Sequence, residues 1–388
     1  MNAHISIIGG GLSGLCCAIH LKLLGHDVQV FEKSSYPRHK VCGEYLSLEV
    51  LPYLNQLGLE LTNYELPIID RLQVSGINGI KLKSKLPLGA IGISRYLLEE
   101  LLYRRALELH IPILTNCKID NIKKVDNQFE LTHKTQTFKT NISIIAAGRK
   151  SIFDRLLNRK AFEIKSPFVG IKYHLSSNLE IPSNLISLHN FRGGYAGISQ
   201  IEDGKFNFCY LVHQNKLKAS NSIRELEEVV LKENPELKSI LDNSTSLFKT
   251  PLTVQNVSFS AKSSVENGIY FLGDSAGSIA PLCGNGMAMA IHSAKLLADA
   301  LHKKDLYTEN SYQEKWRKSF KTRLKIGQHF QKLLGQNTVT NLSLRAIKIL
   351  PQRVFENIIS LTHGNEFRSE FLDIQQHTSY EKVDSNTY

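Results

Sequence analysis

The sequence predicts an α/β fold: a parallel sheet with a small β-meander, interleaved with a mostly antiparallel sheet and followed by C-terminal helices. Three observations predict it. The first 32 residues read as strand, glycine turn, helix and strand. Residues 268–301 repeat the theme, with an apolar strand, a glycine-rich turn and a helix. Elsewhere two segments alternate polar and apolar residues between turn dipeptides, the pattern of half-buried antiparallel strands. At 388 residues with 42% hydrophobic content, the chain is long for one compact domain and comfortable for two.

His4 to Ile8 is a short apolar run rich in β-branched residues, as in a buried parallel strand. Gly9-Gly10-Gly11-Leu12-Ser13-Gly14 follows it. Leu12, Leu15, Ala18, Ile19, Leu23 and Leu24 then recur at helical spacing, and Gly25 is placed to end the helix. Asp27 to Glu32 is a second strand that closes on an acid, with Lys33 beside it. GxGxxG in this setting is the fingerprint of a Rossmann-like dinucleotide unit. Gly9 permits the tight turn, Gly11 lets the backbone approach a pyrophosphate, and Gly14 brings helix and strand together. Leu12 and Ser13 open the helix whose unpaired N–H groups face the diphosphate, and Glu32 reaches a ribose. An acid at position 32 argues against a 2′-phosphate, which leaves FAD and NAD. The alternative is a βαβ unit of purely structural purpose.

Six cysteines lie scattered without a CxxC pair, so neither a zinc site nor a disulfide framework is indicated. The N-terminus has no basic region ahead of an apolar run, and no apolar stretch approaches the roughly 20 residues needed to span a bilayer. The expected location is cytoplasmic, or peripheral to a membrane at most. The formal net charge is +11, and between Lys303 and Glu356 twelve Lys or Arg face four acids. That cluster reads as a solvated helical face or as a peripheral contact with an anionic membrane. No aromatic-interleaved basic groove marks nucleic-acid binding.

The choice of dinucleotide is made far down the chain. Ile269 to Leu272 is an apolar strand ending in Gly273-Asp274, and Pro281-Leu282-Cys283-Gly284-Asn285-Gly286-Met287 leads into a helix with small residues at packing positions. Paired with the N-terminal GxGxxG, this resembles the second FAD signature of the flavoprotein superfamily that holds aromatic-ring hydroxylases, geranylgeranyl reductases and flavin-dependent halogenases. The resemblance implies a glutathione-reductase-type FAD-binding domain. It implies that Asp274 meets the ribityl and pyrophosphate region, and that the helix start at Gly284, Asn285, Gly286 and Met287 faces the flavin's pyrimidine edge. Ser94-Arg95, ahead of a leucine-rich helix, is similar to the arginine-led helix that meets the diphosphate. Ile144 to Ser151 resembles the ADGxxS strand end, with Gly148 in place. It departs at Ala147, where the family has Asp, and the departure leaves the electron donor open between NAD(P)H and a separate protein.

Within the superfamily, Lys40-Val41-Cys42-Gly43-Glu44 resembles the geranylgeranyl reductase branch, and a halogenase's Trp-x-Trp pair is absent because Trp316 is the single tryptophan. The loop from Pro37 is expected to pass along the flavin, with Arg38 and Lys40 available to the FAD phosphates or as a solvated charge pair. Cys42 is a reactive thiol beside the ring or a small packing residue. Glu44 is an acid–base group or a cap for a helix beginning near Leu46. These two are the catalytic candidates; no metal site is expected.

Lys118 to Thr140 reads as the meander. The expected FAD domain comprises 1–59, 94–158 and 262–301, and the substrate domain 60–93 and 159–261. A helical region over 302–374 and a disordered tail over 375–388 complete the chain. Tyr173, His174, Tyr195 and Tyr210 are pocket or core aromatics. The expected function is an FAD-dependent oxidoreductase on an apolar small molecule, delivering hydride to a carbon–carbon double bond as geranylgeranyl reductases do. A hydroxylase-type monooxygenase is the alternative, and a non-catalytic, membrane-associated flavin protein is the third reading.

Overall fold

The computed structural model describes residues 4–159, 166–178, 180–259, 261–303, 308–333 and 351–373; the expected disordered tail lies outside them. Its first strand, β1 (Ile5–Ile8), is fully apolar or small on both faces and pairs in parallel with β2 (Val28–Phe31) and β10 (Ile142–Ile145). β18 (Ile269–Phe271) continues the parallel sheet beyond β10, β6 (Ile113–Leu114) extends it beyond β2, and β17 (Val265–Glu266) is the antiparallel edge. Helix α1 (Leu12–Leu23) buries residues on nearly every side because the sheet lies beneath it while α3 (Arg95–Glu108) and α8 (Gly286–Lys303) flank it. The close βα turn depends on glycine at two points. Gly9 has φ +109°, and a Cβ on Gly14 would stand 1.9 Å from the Gly9 carbonyl oxygen. Three antiparallel strands, β7 (Asn121–Val125), β8 (Gln128–His133) and β9 (Gln136–Thr140), form the meander where alternation placed it.

Among the described residues the second sheet has nine strands. Its central run is β11 (Phe168–Ser177), β14 (Phe206–His213), β13 (Gly194–Gln200), β12 (Leu185–Phe191), β4 (Ile68–Ser75) and β5 (Lys81–Gly92), all antiparallel except β12 against β4. Period-two alternation divides its faces. One face presents Ile171, Phe208, Tyr210, Ala196 and Ile198 to α6 (Ile223–Val229) and α7 (Pro235–Asp242), closing a core of its own. The other face carries two cross-strand rows, Lys172–Cys209–Gly197–Leu188 and His174–Asn207–Ser199–Ile186. This second face turns toward the parallel sheet.

Tyr45–Ser47 corrects one expectation. These residues form β3, a strand paired with Ala90–Gly92, and not the start of a helix; the helix α2 (Leu51–Gln56) begins only after a 3₁₀ turn at Leu48–Val50. Pairing with β5 and burial of all three side chains override the local helical pattern. In the C-terminal region, α9 (Thr308–Leu333) lays Tyr312, Trp316, Phe320 and Leu324 onto the parallel-sheet core, while Lys315, Arg317, Lys318, Lys321 and Lys325 face solvent. Arg323 departs from that solvated face: it is 8% exposed and pairs with the buried Glu49 at 3.2 Å. No helix among the described residues is long and apolar enough to cross a membrane.

Candidate functional site

A cavity of about 700 Å³ lies between the two sheets. Its lower end is the glycine turn. Gly9, Gly11, Leu12 and Ser13 line it, with Glu32, Lys33, Arg38, Lys40 and Arg95 around them. Gly11 is the N-cap of helix α1 and offers no side-chain cap, and the first turn holds no acid, so the helix's first N–H groups and partial positive charge face the cavity. Glu32 is fixed by the Gly10 amide at 2.8 Å and the Ser34 amide at 3.0 Å, with Arg38 at 3.1 Å. Gly14 stands behind the turn against Gly9, as the packing role requires.

A carboxylate that sequence reasoning missed organises the cations. Glu99 on α3 is fully buried and collects Arg38 at 3.3 Å, Lys40 at 3.0 Å and Arg95 one helical turn before it. Its i, i+4 spacing from Arg95 was the available signal. Burial alone would raise the Glu99 carboxyl, but Arg95, Lys40 and Arg38 outweigh it and hold it below the usual value. Lys40 is pushed down to about 8, by burial first and by Arg95 second. Three cations stand against the two carboxylates Glu32 and Glu99, so the cluster keeps a positive surplus beside the helix N-terminus. A Cβ placed on Gly11 would meet Lys40 Nζ at 3.4 Å and Arg95 Nη2 at 3.8 Å, so both cations overlook the turn. That arrangement suits a diphosphate.

The middle of the cavity is bounded by Cys42, Gly43, Glu44 and Tyr45 on one side and by Gly148, Arg149, Asp274, Pro281, Gly284, Gly286 and Met287 on the other. Asp274 faces Arg149 at 3.4 Å, and Ser275 donates to the Gly148 carbonyl at 3.0 Å, joining the two strand-end turns. Gly273 packs against Ser13, and its amide donates to Ser293 at 2.9 Å. Asn285 is fully buried beneath the turn. Its amide nitrogen donates to Glu49, and its carbonyl oxygen accepts from Arg323 at 3.1 Å, so its side chain props the start of α8 from behind.

Glu44 is the most heavily engaged group. It sits at φ +52° with a fully buried carboxylate. Lys172 Nζ and His174 Nε2 (2.7 Å) both contact it, and the Arg95 amide at the start of α3 donates to it at 2.7 Å. Burial would raise its carboxyl; the His174 hydrogen bond and the Lys172 charge overcome that and lower it. It is therefore an anion that joins β11 to the N-terminus of α3. Lys172 also donates to the Lys40 carbonyl at 3.1 Å, and Asn207 Nδ2 to the Cys42 carbonyl at 3.2 Å, which pins the whole Lys40–Glu44 loop to the sheet. Cys42 is half-buried on the cavity wall, with its sulfur 3.5 Å from the Glu44 amide.

The far end is apolar, built by Ile186, Leu188, Leu211, Val254, Val257 and Leu282. Of the four aromatic candidates, Tyr195 and Tyr210 both border the cavity, and the Tyr210 hydroxyl donates to Glu227 on the other side of the sheet. Tyr173 packs on that same side, and His174 serves Glu44. The residues fit FAD: an uncapped helix start with overlooking cations, an acid at the second strand, and a second glycine turn closing the middle of the cavity.

Two family models match the chain. An NAD(P)-binding Rossmann-like domain covers residues 7–39, and squalene epoxidase covers residues 139–342, more than half of the chain. A tryptophan 2-halogenase of Chondromyces crocatus is 22% identical over 76% of this chain, which spans 60% of that protein's length. Among solved structures, the flavin-dependent brominase Bmp2 superposes with a TM-score of 0.75 at 14% identity, each chain fully covered. A geranylgeranyl bacteriochlorophyll reductase-like protein from Thermoplasma acidophilum gives 0.69 at 15% identity over 98% of this chain and 97% of that one. At those identities the structural likeness speaks for the fold. With an epoxidase family model running through both sheets and the second glycine turn, the chain belongs to the squalene epoxidase family of FAD-dependent oxidoreductases.

Proposed function

We propose that this protein is an FAD-dependent monooxygenase that inserts oxygen into an apolar small molecule. One observation carries the reading: a single cavity runs from the cationic glycine turn to an aliphatic end under the antiparallel sheet. Bound there, FAD supplies two-electron chemistry, directed either to dioxygen or to a double bond. The protein's residues bear on that choice. Saturating a double bond needs a proton donor near the hydride acceptor. Glu44, the acid of the Lys40–Glu44 loop on the cavity wall, is held ionised by Lys172 and His174, and both of its oxygens are engaged. Its observed task is to anchor a loop and a helix start, which favours oxygen insertion, as does the epoxidase family match.

The reductase reading keeps one supporting feature, the Cys42 thiol on the cavity wall, which could hand over a proton. Turnover of unsaturated apolar compounds with reduced nicotinamide, with and without a separate flavin reductase, separates the two by product mass. Gain of one oxygen atom in air with no product under argon supports the monooxygenase. Gain of two hydrogens under argon overturns it. Electrons reach the cofactor from NAD(P)H directly or through a partner protein, and the same assay distinguishes these routes. The five exposed cations on α9 support cytoplasmic residence with peripheral contact to anionic lipid. Binding to phosphatidylserine vesicles that survives replacement of all five by Gln would overturn that contact.

A further inference from the structure

Gly197 stands in the middle of β13, on the sheet face that covers the cavity, between Cys209 and Leu188 on the flanking strands. A glycine inside a strand weakens it, and it marks a bulge, the close approach of another backbone, or a ligand. Among the described residues, the other glycines in the strands of this sheet have a local cause. Gly89 has φ +76°. A Cβ on Gly92 would collide with the Gln200 carbonyl oxygen, and one on Gly194 with the Leu211 carbonyl oxygen. A Cβ on Gly170 would meet methyl groups of Val254 and Val41 at 3.0 and 3.1 Å. Gly197 has no such cause. Its φ lies outside the left-handed region, and the register runs through it without a shift against either neighbour. The atom nearest to a Cβ built on it is Leu188 Cδ2 at 3.3 Å, the end of a flexible side chain. The next two are carbonyl oxygens of the flanking strands at 3.8 and 3.9 Å, so nothing from across the cavity comes closer.

What remains is the space itself. Gly197 is half-buried and lines the cavity, and so do its four neighbours on this face, Tyr195, Ser199, Leu188 and Cys209. The absent side chain leaves a recess between strands that stand two spacings apart, about 10 Å. At β11 the same face is closed instead, because Val41 and Val254 press on Gly170. We infer that Gly197 determines specificity: its recess takes the widest part of an apolar substrate, so that the site admits compact ring systems and not only extended chains. The inference rests on the far end of the cavity being the substrate region. An extended chain can lie along Ile186, Leu188 and Leu211 without entering the recess, whereas a cage or fused ring needs depth normal to the sheet. Filling the recess therefore excludes the ring and spares the chain.

The test uses adamantan-1-ol and decan-1-ol, alcohols of equal carbon number, one a compact cage and the other an extended chain. Each is titrated into the FAD-loaded full-length protein and into its Gly197→Ala and Gly197→Val variants, and binding is followed by the visible difference spectrum of the flavin. Gly197→Val should weaken the cage about tenfold and the chain less than about twofold, with Gly197→Ala in between. An unchanged circular dichroism spectrum shows that the variants are folded; valine suits a strand position, and alanine asks only that the Leu188 methyl give way slightly. Variants that weaken both alcohols equally, or neither, would overturn the role of the recess while leaving the apolar reading in place. A folded Gly197→Val protein that no longer holds FAD would set the recess against the cofactor and overturn the inference as well. If neither alcohol perturbs the flavin of the unmodified protein, the substrate-region reading falls and the inference with it.

Discussion

Replacing Lys172 by Met tests whether the antiparallel sheet holds the cofactor loop in place. Lys172 is fully buried, and so is its partner Glu44. Removing one member of a buried ion pair leaves an uncompensated charge and costs about 3–5 kcal/mol. Glu44 would keep His174 and the Arg95 amide, which points to the lower end, about 3 kcal/mol, with about 1 kcal/mol of that from the lost bond to the Lys40 carbonyl. Adding Glu44→Gln removes the stranded charge, so the double variant should recover about 2 kcal/mol relative to Lys172→Met alone. Guanidinium unfolding followed by circular dichroism gives the stabilities, and flavin fluorescence gives FAD affinity in the same three proteins. The Lys40–Glu44 loop carries Lys40 to the glycine turn, so FAD affinity should fall and recover in the same order. A loss below about 1 kcal/mol in Lys172→Met, or a double variant less stable than Lys172→Met alone, would refute the reasoning.

Arg323→Leu strands the buried Glu49 and frees Asn285 at the start of α8; a loss of about 3 kcal/mol is expected, offset by Glu49→Gln and read by the same unfolding assay. Lys40 titrates at about 8 in the protein without FAD, and a diphosphate beside it favours the charged form. FAD binding should therefore take up a proton above that pH and weaken as pH rises through it; calorimetry in buffers of different ionisation enthalpy checks this, and a flat affinity from pH 7 to 10 would contradict it. Glu44 and Glu99 both have folded-state values below the ordinary 4.5. Their stabilisation is thus complete above that pH and is lost as pH falls through the folded values, so unfolding and FAD release should set in together on acidification below about pH 4.5.

The glycine turns, the paired strands around them and the meander were legible in the sequence because each is written locally, in a period of two or 3.6 and in glycines that no other residue can replace. Glu99 was half legible: its spacing from Arg95 is local, but its three cations come from two separate segments. Lys172 was not, and His174 was expected as a pocket or core aromatic and not as the partner of Glu44. They look like ordinary polar alternation in β11, and only the approach of the Lys40–Glu44 loop makes that face an interior. The helix expected near Leu46 failed for the same reason, since the partner of Leu46 in β5, Ile91, lies far along the chain and that pairing decides the conformation of β3. Asn285 belongs to the expected glycine turn, yet its side chain is turned to Glu49 and Arg323, partners that no local pattern announces.

The visible spectrum of the purified protein, with the released nucleotide identified, tests the central placement most directly when repeated on Gly11→Val. A side chain at Gly11 would project toward Lys40 and Arg95, into the space assigned to the diphosphate. The unmodified protein should be yellow and release FAD, and a folded Gly11→Val protein should be colourless and take up no added FAD. A Gly11→Val protein that binds FAD as tightly as the unmodified one would contradict the placement of the cofactor in this cavity.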